Sequence, residues 1–200
     1  MNQTLPSRRI VVKVGTSTLA HAPGGPNLHN IDMLARTLSD LKCAGHQIVL
    51  VSSGAIAIGA YKLGMPCRPK ELRAKQAAAA VGQCELMHLY DKFFSEYGQT
   101  VGQILLTRED VEDPGRAENL RATFSTLLEM GVVPVVNEND SVSYAEIETG
   151  HHKVFGDNDT LSAIVSVFCD ADLLVLLSDI DGLYDDDPQT NPDARLIELV

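Results

Sequence analysis

The 200-residue sequence predicts an α/β domain, a three-layer sandwich with a largely parallel central sheet and helices on both faces. Three observations predict it. Short apolar, β-branched runs recur along the chain and close on glycine or small polar residues. Stretches with helical periodicity separate them. The runs are near-continuously apolar rather than alternating, as in strands covered on both sides.

Each element follows from its residues. "RIVVKVG" reads as a buried strand ending in Gly15. In "NIDMLARTLSDLKCAG", Ile31, Leu34, Leu38 and Leu41 share one helical face, with Asn30 as N-cap and Gly45 as stop. "QIVLVSSG" is the second strand and "GAIAIGAYKLG" a short helix. "ELRAKQAAAAVGQCELMHLYDKFFSEYG" reads as one long helix or a pair broken near Gly82. "TVGQILLT" is a strand, "ENLRATFSTLLEMG" a helix, and residues 132–136 a strand running into "NEND". "SVSYAEIETGHHKVF" alternates about Thr149-Gly150 and fits a hairpin. "DTLSAIVSVFCDA" closes as a helix and "DLLVLLSD" as the last strand.

Composition excludes several functions. At 44% hydrophobic and 22% charged, the chain is an ordinary globular sequence. Its formal net charge of -11 argues against nucleic acid as a main partner. No apolar stretch approaches the ~18–20 residues needed to cross a bilayer. The N-terminal run lacks the apolar core of a signal peptide. Cys43, Cys67, Cys84 and Cys169 form no CxxC pair and read as reduced thiols of a cytoplasmic protein.

In open α/β sheets, ligands bind beyond the carboxyl ends of the strands. Five polar clusters are predicted to meet there: Lys13-Val-Gly15-Thr16, Ser52-Ser53-Gly54, Asn137-Glu-Asn-Asp140, Ser178-Asp179, and Asp157-Asn158-Asp159 at a helix start. Each alone is ordinary turn or capping chemistry. Lys13 is the exception, because an ammonium inside an apolar strand is costly without an anion. No GxxxxGK[ST], GxGxxG or GxSxG motif occurs. "DIDGLYDDDP" lacks EF-hand spacing and reads as a solvated turn, and His151-His152 as a hairpin tip. The alanine-rich "AKQAAAAVGQ" suits close helix packing, and a homo-oligomer is expected.

The runs "VVKVGTSTL", "IVLVSSGAIAIG", "KQAAAAVGQ", "GQILLTRED", "VVPVVNENDSV", "FGDNDTLSA" and "LLVLLSDIDGLYDDDP" resemble those of the glutamate 5-kinases, a branch of the amino acid kinase family. The resemblance implies phosphorylation of the side-chain carboxylate of L-glutamate by ATP, the first step of proline biosynthesis. It implies that Lys13, with Gly15 and Thr16, meets the ATP phosphates, and that Asp159 orients the lysine. It implies that Ser53, Gly54, Asp140 and Asn158 hold glutamate, and that Ser178 and Asp179 lie on the nucleotide side. Mg2+ would ride on the phosphates. The resemblance also raises feedback by proline, on which the longer loop at 148–155 would bear. It implies a kinase domain extending past residue 200, with a second phosphate-binding lysine and, in many members, a PUA domain. On that expectation residues 1–200 are one incomplete kinase domain, with ATP bound less well than glutamate. The alternative reading is a glutamate-binding protein without turnover.

Overall fold

The computed structural model describes residues 8–21, 25–142, 158–178, 182–186, 188, 190, 191 and 193–197. Among these residues five strands form one sheet: β1 (Arg9–Val14), β2 (Gln47–Ser52), β3 (Val101–Leu106), β4 (Val133–Glu138) and β5 (Leu173–Leu177). Their order is β3-β4-β2-β1-β5 and every pairing is parallel. Among the described residues seven helices accompany them: α1 (Thr16–Leu19), α2 (Leu28–Cys43), α3 (Ala55–Lys62), α4 (Leu72–Glu96), α5 (Arg108–Glu112), α6 (Pro114–Glu129) and α7 (Asn158–Phe168). The architecture is the predicted parallel α/β sandwich.

The two-residue period of a strand divides the core. Ile10, Val12, Ile48, Leu50, Val133 and Val135 face one layer, where Leu34, Leu38, Leu86, Tyr90 and Phe94 from α2 and α4 cover them. Val11, Val49, Val51 and Val136 face the other, under Phe124, Leu128, Leu161 and Val165 from α6 and α7. This parity also aims the polar strand ends. Lys13 follows Val11 toward α7, while Ser52 and Asn137 follow Leu50 and Val135 toward α4.

Several local expectations change. α4 is one unbroken helix. Gly82 does not interrupt it, because the residue serves packing. A Cβ on Gly82 would stand 1.8 Å from the Ala55 carbonyl oxygen, and one on Gly59 1.8 Å from that of Ala78. The two backbones therefore touch, and the close packing expected of the alanine-rich stretch is made within the chain, by α3 on α4. The cap of α2 is Asn27, whose side chain accepts from the Asn30 amide; Asn30 is already helical. β4 runs on to Glu138, so Asn137 lies inside the strand rather than beyond it. α6 begins at Pro114, ahead of Glu118, since proline is favoured in a helix's first turn. The short α1 and α5 had no periodic signal to announce them. The expected hairpin, the His151-His152 tip and the loop at 148–155 fall outside the described residues.

Candidate active site

β1 carries Lys13 one residue before its end, in register with Val51 on one side and Leu176 on the other. Its side chain is 13% exposed, and the ammonium meets the Asp159 carboxylate at 2.7 Å. The partner, on the first turn of α7, is 48% exposed. One pole of the pair is thus set in the sheet and the other faces outward. A Cβ at Gly15 would stand 3.7 Å from Lys13 Nζ and 3.9 Å from the Leu177 carbonyl oxygen. A larger residue there would occupy the space beside the ammonium.

Ser53 and Gly54 follow β2. Gly54 is left-handed at φ 97°, a conformation that strains residues with a Cβ, and it precedes α3 without any side-chain cap. The first N–H groups of α3 consequently have no side chain folded over them, and they carry the positive end of the helix dipole. Ser53 donates its backbone N–H to the Val14 carbonyl at 3.1 Å, tying the two strand ends together.

Asn158 opens α7 and bridges the same edge. Its Nδ2 donates to the Ser52 carbonyl at 2.9 Å, to Ser53 Oγ at 2.7 Å and to Asn137 Oδ1 at 3.1 Å. Neither Asn158 nor Asp159 spends its side chain as a simple helix cap: one is a donor to the strand ends, the other is engaged by Lys13. Asp157 lies outside the described residues, as does Asp179. Thr16 begins α1, and Ser178 is exposed just beyond β5.

Past β4, Asp140 lines a cavity of about 440 Å³ together with Glu138, Asn139, Ala55, Gln83 and Met87. That volume lies within the ~300–1,000 Å³ usual for small-ligand sites. Burial raises the Asp140 carboxyl above the ordinary carboxylate range, and the more distant Arg68 only partly offsets this. Among the described residues no cation stands within ion-pair distance of it. A cationic ligand group would relieve that cost.

Sequence reasoning missed the polar tethers behind this edge. Tyr90 is fully buried on α4, and its hydroxyl pairs with Ser52 Oγ at 2.7 Å; burial pushes the phenol well above its usual range. Gln83 accepts from Asn137 Nδ2 at 3.0 Å. The one signal available was their spacing. Positions 83 and 90 are polar-tipped residues two turns apart on an otherwise apolar helix face.

Residues 8–200 match the family model of the amino acid kinases. The chain belongs to the amino acid kinase family. Among the relatives of this amino acid kinase, the glutamate 5-kinase of Clostridium perfringens is 54% identical over 194 residues, covering 97% of this chain and 71% of that enzyme. The glutamate 5-kinase of Listeria innocua is also 54% identical, over 97% of this chain and 70% of its own length. A solved structure, the isopentenyl phosphate kinase of T. acidophilum in a product complex, superposes with a TM-score of 0.61 at 22% identity, over 93% of this chain and 76% of the other. At that identity the likeness is one of fold. Among the described residues no helix is long and apolar enough to cross a membrane.

Proposed function

We propose that this amino acid kinase transfers the terminal phosphoryl group of ATP to the side-chain carboxylate of L-glutamate, giving L-glutamyl 5-phosphate. The observation that carries the reading is Lys13, held by Asp159 at the sheet's carboxyl edge beside an acid-lined cavity. The acceptor carboxylate, with a pKa near 4.3, is already ionised at neutral pH, so the reaction needs no general base. What it needs is position and charge. Lys13 stabilises negative charge on the transferring group, and Asp159 fixes the direction of its ammonium. Gly15 and Thr16 line the phosphate side with backbone donors, and Ser178 and Asp179 complete the nucleotide side. Asp140 accepts the α-ammonium of glutamate, for which its buried carboxylate is suited. Ser53, Gly54 and the uncapped start of α3 receive an anionic group of the same substrate.

Magnesium fits as a passenger on the nucleotide, where it neutralises phosphate charge. Magnesium usually keeps several of its waters and is held through one or two carboxylates and the substrate phosphates. A cytoplasmic location, a role in proline formation, a homo-oligomeric state and feedback by proline belong to the same proposal. A hydroxamate-trapping assay with Mg-ATP tests it: L-glutamate should give product and L-aspartate much less. Preference for aspartate would overturn the assignment.

A further inference from the structure

Gln83 lines the cavity beside Asp140 without a role assigned above, and it also ends a continuous polar chain that runs to Asn158. Parity places Asn137 on the α4 side of the sheet, and the backbone contact of Gly82 with α3 brings the next residue, Gln83, within reach of it. From there the bonds run without a gap. Gln83 Oε1 accepts from Asn137 Nδ2 at 3.0 Å. Asn137 Oδ1 accepts from the Glu138 backbone N–H at 2.9 Å and from Asn158 Nδ2 at 3.1 Å.

We propose that Gln83 is a positioning residue, which fixes the polarity of the Asn137–Asn158 amide pair and so decides which atom Asn158 offers to substrate. An amide nitrogen carries two hydrogens. The three acceptors around Asn158 Nδ2, namely the Ser52 carbonyl, Ser53 Oγ and Asn137 Oδ1, take up both. Asn158 then has only its oxygen for a ligand, and an oxygen recognises a donor such as an ammonium group. Ser53, whose oxygen is already accepting, keeps its own hydrogen to donate. The pair thus presents one acceptor and one donor, the complement of an amino acid's ammonium and carboxylate. Reversing the Asn137 amide would set NH2 against NH2 at Asn158 and carbonyl against carbonyl at Gln83. The Glu138 N–H opposes that reversal from the near end and Gln83 from the far end. Tyr90, two turns along α4, holds Ser52 in the same way, so one helix face braces both strand ends that Asn158 bridges.

The inference rests on the glutamate reading for its kinetic arm alone. Gln83→Met keeps length and removes the acceptor; Gln83→Glu keeps an acceptor. Loss of one buried hydrogen bond predicts that Gln83→Met raises the KM for glutamate about tenfold, with kcat and the KM for ATP changed less than about twofold. Gln83→Glu should stay within about threefold of the unsubstituted enzyme. In parallel, NMR should show the Asn158 side-chain amide protons exchanging with solvent at least about tenfold faster in Gln83→Met and at the original rate in Gln83→Glu. Equal impairment in both variants would overturn polarity as the cause. So would an unchanged KM together with unchanged exchange, or a joint fall of kcat, both KM values and melting temperature. If the protein proves inactive on glutamate, the function falls, and the exchange rates decide the positioning role independently.

Discussion

Six described helices begin with an identified cap residue, and they divide into two groups. α2, α4, α5 and α6 are closed by side chains: Asn27, Glu71, the Thr107–Asp110 capping box, and Asp113. α1 and α3 begin at Gly15 and Gly54, with no side-chain cap. In parallel α/β units the helices run back against the strands, so all of these starts share the rim formed by the strands' carboxyl ends. Their dipoles point the same way. What differs is whether the sequence fills the free N–H groups or leaves them for something else. Replacing a side-chain cap by alanine costs typically ~1 kcal/mol and by glycine a few tenths, so these two glycine starts give up little stability while leaving their N–H groups open. The two omissions fall beside Lys13 and the Asp140 cavity and nowhere else in this set. The difference separates helix ends closed by side chains from the two that border the proposed site.

The comparison can be broken at the site side first. Lys13→Ala removes the charge beside the Gly15 turn and leaves Asp159 without its partner. On the proposed role of the lysine at the transferring group, the kcat should fall by about 10²–10³ with the KM for glutamate little changed. Initial rates at saturating ATP check it. A rise in glutamate KM alone would place Lys13 in substrate binding instead.

Gly54→Asp converts α3 into a helix of the other group. The new carboxylate would cap the free N–H groups and compete with an incoming anion. The KM for glutamate should rise by about tenfold to a hundredfold, because a charged hydrogen-bond site is lost. Stability should fall by about 1 kcal/mol, as a cap gain over glycine of a few tenths is set against left-handed strain of ~1–2 kcal/mol. Steady-state kinetics and a melting curve together test this. An unaltered KM would mean that the α3 start is not a ligand site.

Asp140→Asn tests the cavity. Burial raises this carboxyl, so its charged form is disfavoured in the fold. The free protein should therefore gain stability as pH falls through the elevated pKa, and should lose that gain above it. Glutamate binding runs the opposite way, strengthening as the carboxylate ionises. In Asp140→Asn both pH dependences should flatten and glutamate affinity should drop by about thirtyfold or more, the usual result of removing one member of a buried charge pair. Calorimetric titration across pH 4–8 reads the binding, and melting curves over the same range read the stability. The smallest effect belongs to the other group of helices. Glu71→Ala at the start of α4 should cost ~1 kcal/mol of stability, with kcat and KM unchanged.

The strands were legible because fully buried parallel strands leave unbroken apolar runs; only the end of β4 was misplaced, since its strand geometry continues through the polar Asn137 and Glu138. Reading polar clusters at strand ends pointed to the edge where Lys13 meets Asp159 and Asn158 meets Ser53, while Asp140 lines a cavity past the end of β4. Glycine was the ambiguous letter. Gly82 reads as a breaker in the sequence, but its bareness lets two helices touch. Asn30 has the composition of a cap, yet Asn27 takes that place because the helix starts one turn earlier. The Gln83–Asn137 and Ser52–Tyr90 bonds span 54 and 38 positions. Local periodicity carries no information on such pairs until sheet order and strand parity are known.

The position of β1 has a consequence for synthesis. It lies between β2, which leaves the ribosome soon after it, and β5, whose Leu173–Leu177 emerges much later. At translation rates of ~5–20 residues per second, one side of β1 waits on the order of ten seconds for its neighbour. During that interval the amide and carbonyl groups of Ile10 to Val14 stand open along that side, with only the β2 side paired. Arg9 waits as well, since its backbone N–H is received by the Asp172 carboxylate at the threshold of β5. The strand that bears Lys13 is thus made well before the neighbour that closes its second side, and until then that side is open to edge-on pairing with another chain.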